Sequence, residues 1–347
     1  MSEIRVNNIT NRDGSTGTTV AGIPVVDSTS HFVVPSGDTA ERGSRGRGIF
    51  GGGYGSSPHP TMNTMDYVTI ATLGNASDFG DLTVARSSKP GGSSSTRGCF
   101  IAGRFTPTAD SFNVIDYITI SSTGNAFDFG DLIHNSNPDQ KGTSNQIRTV
   151  YAGGYLLPGT AASDFQTTMG YFTIASLGNS SDFGNLSQKG RVTFQGSNGT
   201  RGIFAGRRVT TDLLNTIEYV NIMTTGDALD FGDLTVARSN SAGSMTSSTR
   251  MVMQGGLNPS SYLNTIDYIT MASLGDAIDF GDTGSGEQAS ASTSNSTRGV
   301  FNPGTPATGD TIEYITIATT GNAADFGNLS AGRRTYGTVS DSHGGLG

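Results

Sequence analysis

Carboxylates that could do chemistry recur at one fixed place along this 347-residue chain. Six aspartates directly precede a phenylalanine, and an Asp or Asn follows each three residues later: Asp78, Asp128, Asp182, Asp230, Asp279 and Asp325. Oxygen donors at short spacing are typical of calcium loops, but this spacing lacks the alternating oxygens and the distal bidentate Glu of an EF-hand. We therefore expect each aspartate to cap its own turn or to pair with a recurring arginine. We predict no metal site and no cofactor.

Nucleophiles and general bases are sparse. The histidines His31, His59, His134 and His343 lie in different segments, and Cys99 replaces an aliphatic residue of a predicted strand. A single cysteine has no disulfide or zinc-finger partner, and within a strand it usually packs as a small hydrophobic residue. The chain has no P-loop and no nucleophile elbow. We predict that the protein is not an enzyme; a glycan-cleaving enzyme, which needs paired carboxylates in a pocket, is the least favoured alternative.

A sequence repeat positions these residues. Each of six tyrosines is followed by a phenylalanine 12 residues later, and successive tyrosines lie 46 to 54 residues apart: Tyr67, Tyr117, Tyr171, Tyr219, Tyr268 and Tyr314. A short apolar run, such as Arg47 to Gly52, precedes each tyrosine and is typical of a buried strand. The strand around Tyr67 carries apolar residues on both faces, so both faces must be covered.

The repeat predicts an all-β fold. Four strands per repeat, named a to d with the apolar run as b and the tyrosine strand as c, predict a six-bladed β-propeller of four-stranded blades. The chain before Arg47 lacks a match to strand a, whereas Thr338 to Ser342 matches it. We therefore predict that a C-terminal strand completes the first blade and closes the ring without open edges.

The composition excludes several classes of protein. The formal net charge is −8, from 21 basic and 29 acidic residues, so we predict no nucleic-acid partner. No stretch approaches 18 consecutive apolar residues, and the start, Met1 to Arg5, does not resemble a signal peptide. These features predict synthesis in a cytoplasm and no membrane insertion.

The repeat resembles the kelch family of propellers. Phe50 to Gly53 matches the glycine pair of that family, Tyr67 matches its tyrosine, and Phe79 stands where the family usually has Trp. The resemblance covers residues 47–347 and implies a kelch-like propeller domain. The chain has no Trp, and two repeats keep only one of the two glycines, so the resemblance implies the fold rather than a function.

Residues 1–46 lie outside the repeat and form a predicted N-terminal anchoring arm. The segments from Ile4 to Gly17 and from His31 to Arg42 resemble the leading segments of bacteriophage virion proteins, particularly those of marine and cyanobacterial phages. The resemblance implies a virion appendage in multiple copies, as a tail fibre, neck or head protein made in the host cytoplasm. The apolar residues are too dispersed for a core of their own, so we expect an extended arm that binds other virion proteins. The predicted anchoring residues are Ile4, Val6, Ile9, Val25, Phe32 and Val33. The alternative is an arm that packs along its own propeller or stays disordered.

The two faces of the predicted disc differ. The a–b and c–d turns on one face are nearly uniform, whereas the b–c loops on the other vary in length and character, which often marks a binding face. The predicted ligand contacts are Tyr54, His59, Phe105, Tyr155, Phe165, Arg207, Arg208 and Tyr262. Aromatic rings stack on sugars and arginine binds carboxylates or phosphates, so a host-surface glycan is the alternative partner. Equally, these aromatic residues could pack their own loops.

Overall fold

The computed structural model describes residues 19–20, 23–24, 46–55, 61–87, 91–105, 110–133, 140–156, 161–240, 243–288, 290–304, 309–334 and 336–346. The chain divides into two units, Met1–Arg45 and Gly46–Gly347. In the first unit, strands β1 (Thr19–Val20) and β2 (Ile23–Pro24) pair antiparallel. The second unit is built of six four-stranded antiparallel sheets.

The strands of the second unit follow the repeat. Blade 1 contains β3 (Arg47–Gly51), β4 (Thr64–Thr69) and β5 (Ser77–Asp81). Blade 2 contains β6 (Gly91–Ser93), β7 (Arg97–Ile101), β10 (Val114–Thr119) and β11 (Phe127–Asp131), with a small hairpin of β8 (Arg104–Phe105) and β9 (Asp110–Ser111). Blade 3 contains β12 (Lys141–Ser144), β13 (Arg148–Ala152), β14 (Thr168–Thr173) and β15 (Ser181–Asn185), with a 3-10 helix at Ala162–Asp164.

The remaining blades have the same order. Blade 4 contains β16 (Arg191–Ser197), β17 (Arg201–Val209), β18 (Asp212–Asn221) and β19 (Leu229–Asp233). Blade 5 contains β20 (Gly243–Thr246), β21 (Arg250–Gln254), β22 (Leu263–Thr270) and β23 (Ile278–Glu287). Blade 6 contains β24 (Ala291–Ser294), β25 (Arg298–Asn302), β26 (Thr311–Thr316) and β27 (Ala324–Asn328). Strand β28 (Gly337–Ser340) and a 3-10 helix at Gly344–Leu346 end the described chain.

The sheets form a closed ring. The six inner strands, in position a, contact one another in turn around the ring, and β28 of the C-terminus contacts both β24 and β6. Strand β28 pairs with β3 through Gly337 opposite Gly51 and Val339 opposite Ile49. The prediction of a six-bladed propeller closed by a C-terminal strand is therefore confirmed.

The hydrophobic core lies in the seams between blades. It consists of six separate clusters, and neighbouring residues of one strand serve different clusters. Ile49 packs with Phe100 of blade 2, whereas the next residue, Phe50, packs with Phe326 of blade 6. Both faces of each sheet are thus covered by neighbouring blades, as the two-sided apolar pattern predicts.

The recurring arginine and tyrosine clamp each seam on the side of the a–b and c–d turns. Arg47 lies 4.7 Å from the ring centroid of Tyr67, and its Nη1 donates to the carbonyl of Ile120 in blade 2 at 3.0 Å. The same stack and the same donation to the next blade occur from Arg97, Arg148, Arg201, Arg250 and Arg298. Each cation–π stack contributes about 0.5–2 kcal/mol, so six clamps stabilise the closed ring.

The c–d turn of each blade docks on the outer strand of the preceding blade. Gly124 N–H donates to Phe79 O at 2.7 Å, and Asn125 Oδ1 accepts from Asp81 N–H at 3.0 Å. The side-chain contact recurs in all six seams through Asn75, Asn125, Asn179, Asp227, Asp276 and Asn322. Gly80 lies so close to the turn that a Cβ would sit 2.4 Å from Gly124 O.

The recurring aspartates do not have the role that we expected. Asp78 and its five equivalents lie exposed on the outer strands, whereas Asn125 and its equivalents supply the side-chain contact at the turn. Outer strands stand at the rim of the blades, and charged residues on such strands oppose association with strands of other molecules. Exposure on an edge strand therefore accounts for these aspartates without a turn cap or a partner arginine.

Candidate functional site

The b–c and d–a loops form the face that we name the loop face; the opposite face, with the a–b and c–d turns, is the turn face. Non-repeated structure extends several b–c loops. In blade 4 the hairpin of β17 and β18 continues to Val209 opposite Asp212, and Thr210 takes a left-handed φ of 52° in the tight turn. In blade 2, β8 and β9 add a second hairpin.

An aromatic cluster packs the b–c loop of blade 3. Tyr155 and Phe165 pair as an isolated bridge with ring centroids 5.7 Å apart, and each is 7% exposed. The guanidinium of Arg191 lies 4.2 Å from the Tyr155 centroid and 5.7 Å from that of Phe165. Two predicted ligand contacts are thus brought together, but their rings are largely covered by each other and by Arg191.

The other predicted aromatic contacts are more accessible. Tyr54 is half-buried under Arg334, whose guanidinium lies 4.9 Å from the ring centroid. Phe105 is half-buried at the end of β8, and Tyr262 of blade 5 is 41% exposed. These three rings belong to blades 1, 2 and 5, so the structure spreads them around the loop face.

The two predicted arginine contacts separate although they are adjacent in sequence. Arg208 is half-buried, and its Nε donates to Thr210 O at 2.7 Å within the blade 4 hairpin. Arg207 is fully buried in an ion pair with Glu218, and its Nη1 donates to Gln188 O of blade 3 at 2.7 Å. Burial lowers the pKa of Arg207 to about 10. Arg207 is therefore a seam residue, and its guanidinium is not presented on the loop face.

Buried ion pairs join three other seams, and the sequence analysis missed them. Arg86 pairs with Asp116 at 2.9 Å, Arg238 with Asp267 at 3.0 Å, and Arg333 with Asp66 at 2.9 Å, all with side chains 0% exposed. Each arginine stands seven residues after the recurring phenylalanine, and each aspartate directly precedes the recurring tyrosine. Alignment of the repeats at these two positions could have revealed the pairs.

The pair of Arg207 and Glu218 is a rearranged version of the same joint. Gly190 of blade 3 stands at the position of Arg86, while Arg207 stands where blade 1 has Gly53. A Cβ on Gly190 would lie 3.4 Å from the Cβ of Arg207. The guanidinium therefore enters the seam from β17 of blade 4 instead of from the segment that follows the outer strand of blade 3. The glycine that leaves room for it, Gly190, lies in that segment.

Hydroxyl groups line the central channel and link the inner strands. Ser93 Oγ donates to Ser340 O at 2.6 Å, and Ser340 Oγ donates to Ser294 O at 2.8 Å. Serine, threonine and glycine residues of the inner strands, together with His343, surround a small cavity of about 60 Å³. Because these serine hydroxyls already bind carbonyls of neighbouring blades, their first role is structural.

The C-terminal tail covers the turn-face end of this channel. Gly344 N–H donates to Thr246 Oγ1 at 3.1 Å, and Leu346 is buried. His343 Nε2 lies 3.0 Å from Ser93 O, and its Nδ1 accepts from Gly345 N–H at 3.1 Å. A carbonyl can only accept, so these contacts fix the neutral Nε2–H tautomer of His343.

Cys99 lies in an environment that disfavours reactivity. Cys99 is buried in the seam core, as predicted, and burial raises its pKa to about 12, which disfavours the nucleophilic thiolate. Within the described ranges, no three His, Cys, Asp or Glu side chains cluster as metal ligands, and no helix is long and apolar enough to cross a membrane.

Several predicted residues lie outside the described part of the chain. They are the loop residue His59, the histidines His31 and His134, and the arm residues Ile4, Val6, Ile9, Val25, Phe32 and Val33. The predictions for these residues therefore stay predictions. In the comparisons with known proteins, no family and no curated protein matches this chain.

Proposed function

We propose that the protein is a non-enzymatic structural protein of a phage particle, in which residues 1–46 bind other virion proteins and a kelch-like propeller is displayed for contact with a host surface or another protein. One observation carries the proposal. The repeated arginines, tyrosines and turn asparagines are used in the seams, so the side chains that differ between blades are concentrated in the loops. A rigid ring that varies on one face is suited to recognition.

The resemblance of the arm to virion proteins supports the location on a particle. Removal of residues 1–46 should abolish incorporation, because the propeller would lose its predicted attachment. The measurement is quantitative mass spectrometry of purified particles, with imaging to locate the protein in the wild type. Circular dichroism of the truncated protein checks that the propeller is folded. Incorporation of a folded truncated protein at the wild-type level would contradict the anchoring role.

A glycan is the second candidate partner, and the exposure of Tyr262 favours it. An aromatic ring that is 41% exposed on the loop face can stack on a sugar. Substitution Tyr262→Ala should weaken binding on a glycan array, whereas Leu274→Ala should leave it unchanged, because Leu274 is 57% exposed on the turn face of the same blade. An absence of binding by the wild type, or equal effects of the two substitutions, would count against a glycan.

A further inference from the structure

One seam has an acidic residue at the position where three equivalent seams have an arginine. Seven residues after the recurring phenylalanine, blade 5 has Glu287, where blades 1, 4 and 6 have Arg86, Arg238 and Arg333. The backbones are equivalent, because Gly53 N–H donates to Arg86 O at 2.9 Å and Gly256 N–H donates to Glu287 O at 2.7 Å. Glu287 therefore stands in the place of a buried guanidinium.

The residue that faces this place is also acidic. Arg86 meets Asp116 of the next blade, which directly precedes the recurring tyrosine, and the corresponding residue of blade 6 is Glu313. The seam between blades 5 and 6 thus brings two carboxyl groups together, whereas three other seams bring a guanidinium and a carboxylate together. Glu287 in place of an arginine therefore replaces an attractive ion pair with two carboxyl groups that repel each other when both are ionised.

Among the residues that the structure describes, none pairs with Glu287 to stabilise a negative charge. Its side chain is 0% exposed, and neither carboxylate oxygen has a hydrogen-bond partner. Glu313 is half-buried and accepts a long hydrogen bond from Gly284 N–H at 3.5 Å. An isolated ionised carboxylate is costly to bury, and such a group usually becomes neutral instead.

Within the described part of the chain, no cation offsets the effect of burial on the pKa of Glu287. The negative charge of Asp325, on β27, also raises the pKa of Glu313. Beside the seam, the buried hydroxyl of Tyr336 has no hydrogen-bond partner among the described residues. Arg238 and Arg333, which hold the equivalent position in the preceding and following blades, are paired with Asp267 and Asp66. Burial first, and Glu313 second, raise the pKa of Glu287 well above its ordinary value of 4.5, and burial also raises the pKa of Glu313.

We propose that Glu287 is a proton-binding site, and that the seam between blades 5 and 6 is a pH-sensitive joint held tight by a neutral carboxylic acid. Loss of the proton leaves two like charges across this seam and none of the ion pairing of the equivalent seams. The ring then opens at this seam more readily than at the three seams that contain a buried arginine–aspartate pair.

The direction of the pH dependence follows from the raised pKa. The folded protein binds the proton more tightly than the unfolded chain does. The contribution of Glu287 to stability is therefore complete below pH 4.5 and is lost as the pH rises through the folded pKa, well above 4.5.

The test compares the full chain with Glu287→Gln, which keeps the shape of the side chain without an ionisable group. The melting temperature of the wild type, relative to Glu287→Gln, should fall by about 2–4 °C between pH 5 and pH 8. Infrared spectroscopy at neutral pH should show a protonated carboxylic acid in the wild type that Glu287→Gln lacks. Parallel melting profiles, or the absence of this infrared band, would overturn the proposal.

Two further variants keep the proposal falsifiable if Glu287→Gln does not fold. Glu287→Arg should restore the ion pair of the other seams and make the melting temperature at pH 8 higher than that of the wild type. Glu313→Gln should remove the repulsion and reduce the pH-dependent fall. If Ca²⁺ at pH 8 raises the melting temperature of the wild type but not of these variants, the seam binds a metal cation, and the proton-binding proposal is wrong.

Discussion

The two faces of the propeller are built from different kinds of residue. On the turn face, the same arginine, tyrosine, glycine and asparagine contacts recur from seam to seam, as Arg47 and Asn125 illustrate. On the loop face, each blade presents a different surface: a stacked tyrosine at Tyr54, a covered aromatic pair at Tyr155, and an exposed ring at Tyr262. A closed ring needs equivalent joints, whereas recognition needs positions that can differ.

Arginines also show that a position near the loop face does not by itself indicate a ligand contact. Arg207 and Arg208 are neighbours in β17, yet one is buried between blades and the other is half-buried in a hairpin. The difference arises because side chains alternate across a strand. Residue type and loop position must therefore be combined with the register of the strand.

The largest expected effect on stability distinguishes the two adjacent arginines. Arg207→Ala leaves Glu218 buried without its cation, so the free energy of unfolding should fall by about 3–5 kcal/mol. Arg208→Ala, the matched control, should cost less, about 1–2 kcal/mol, because it removes hydrogen bonds to Thr210 O and Asn240 Oδ1 and leaves no buried charge unpaired. Urea unfolding of both variants is the measurement. Equal small effects would contradict the seam role of Arg207.

A smaller effect tests the close packing of the turn face. Gly80→Ala should destabilise the protein by about 2–4 kcal/mol, because the new Cβ would strain the backbone and overlap with Gly124 O. Gly74 is the control, since it has a similar φ of 153° but no atom within 4 Å of an added Cβ. Gly74→Ala should cost only the backbone strain, about 1–2 kcal/mol. Thermal unfolding distinguishes the two, and a larger loss for Gly74→Ala would argue against this docking.

The smallest effect separates the turn asparagine from the neighbouring aspartate. Asn125→Ala removes a hydrogen bond to Asp81 N–H in the preceding blade and should cost about 1 kcal/mol. Asp128→Ala changes an exposed side chain of the same blade and should stay within about 0.5 kcal/mol of the wild type. The order of the two unfolding midpoints checks this assignment; the reverse order would restore the capping role to the aspartate.

The sequence predicted the features that depend on repetition, and missed those that depend on contacts between repeats. Blade number, strand order and closure follow from the spacing of Tyr67 and its equivalents and from the match at Thr338. The contact of Gly80 with Gly124 joins residues of different blades, so no local pattern reveals it. The burial of Arg207 depends on the compensating glycine at position 190. Such exchanges appear only when the repeats are compared position by position.

The proposed recognition through the loop face is tested most directly by site-specific labelling of this protein on purified phage particles. Cys99 is fully buried, so Tyr262→Cys and Leu274→Cys provide one accessible thiol each, on the loop face and the turn face of blade 5. Attachment of a bulky maleimide should reduce host adsorption at position 262 and leave it unchanged at position 274. Reduced adsorption at position 274 alone, or no effect at either position, would contradict recognition through the loop face.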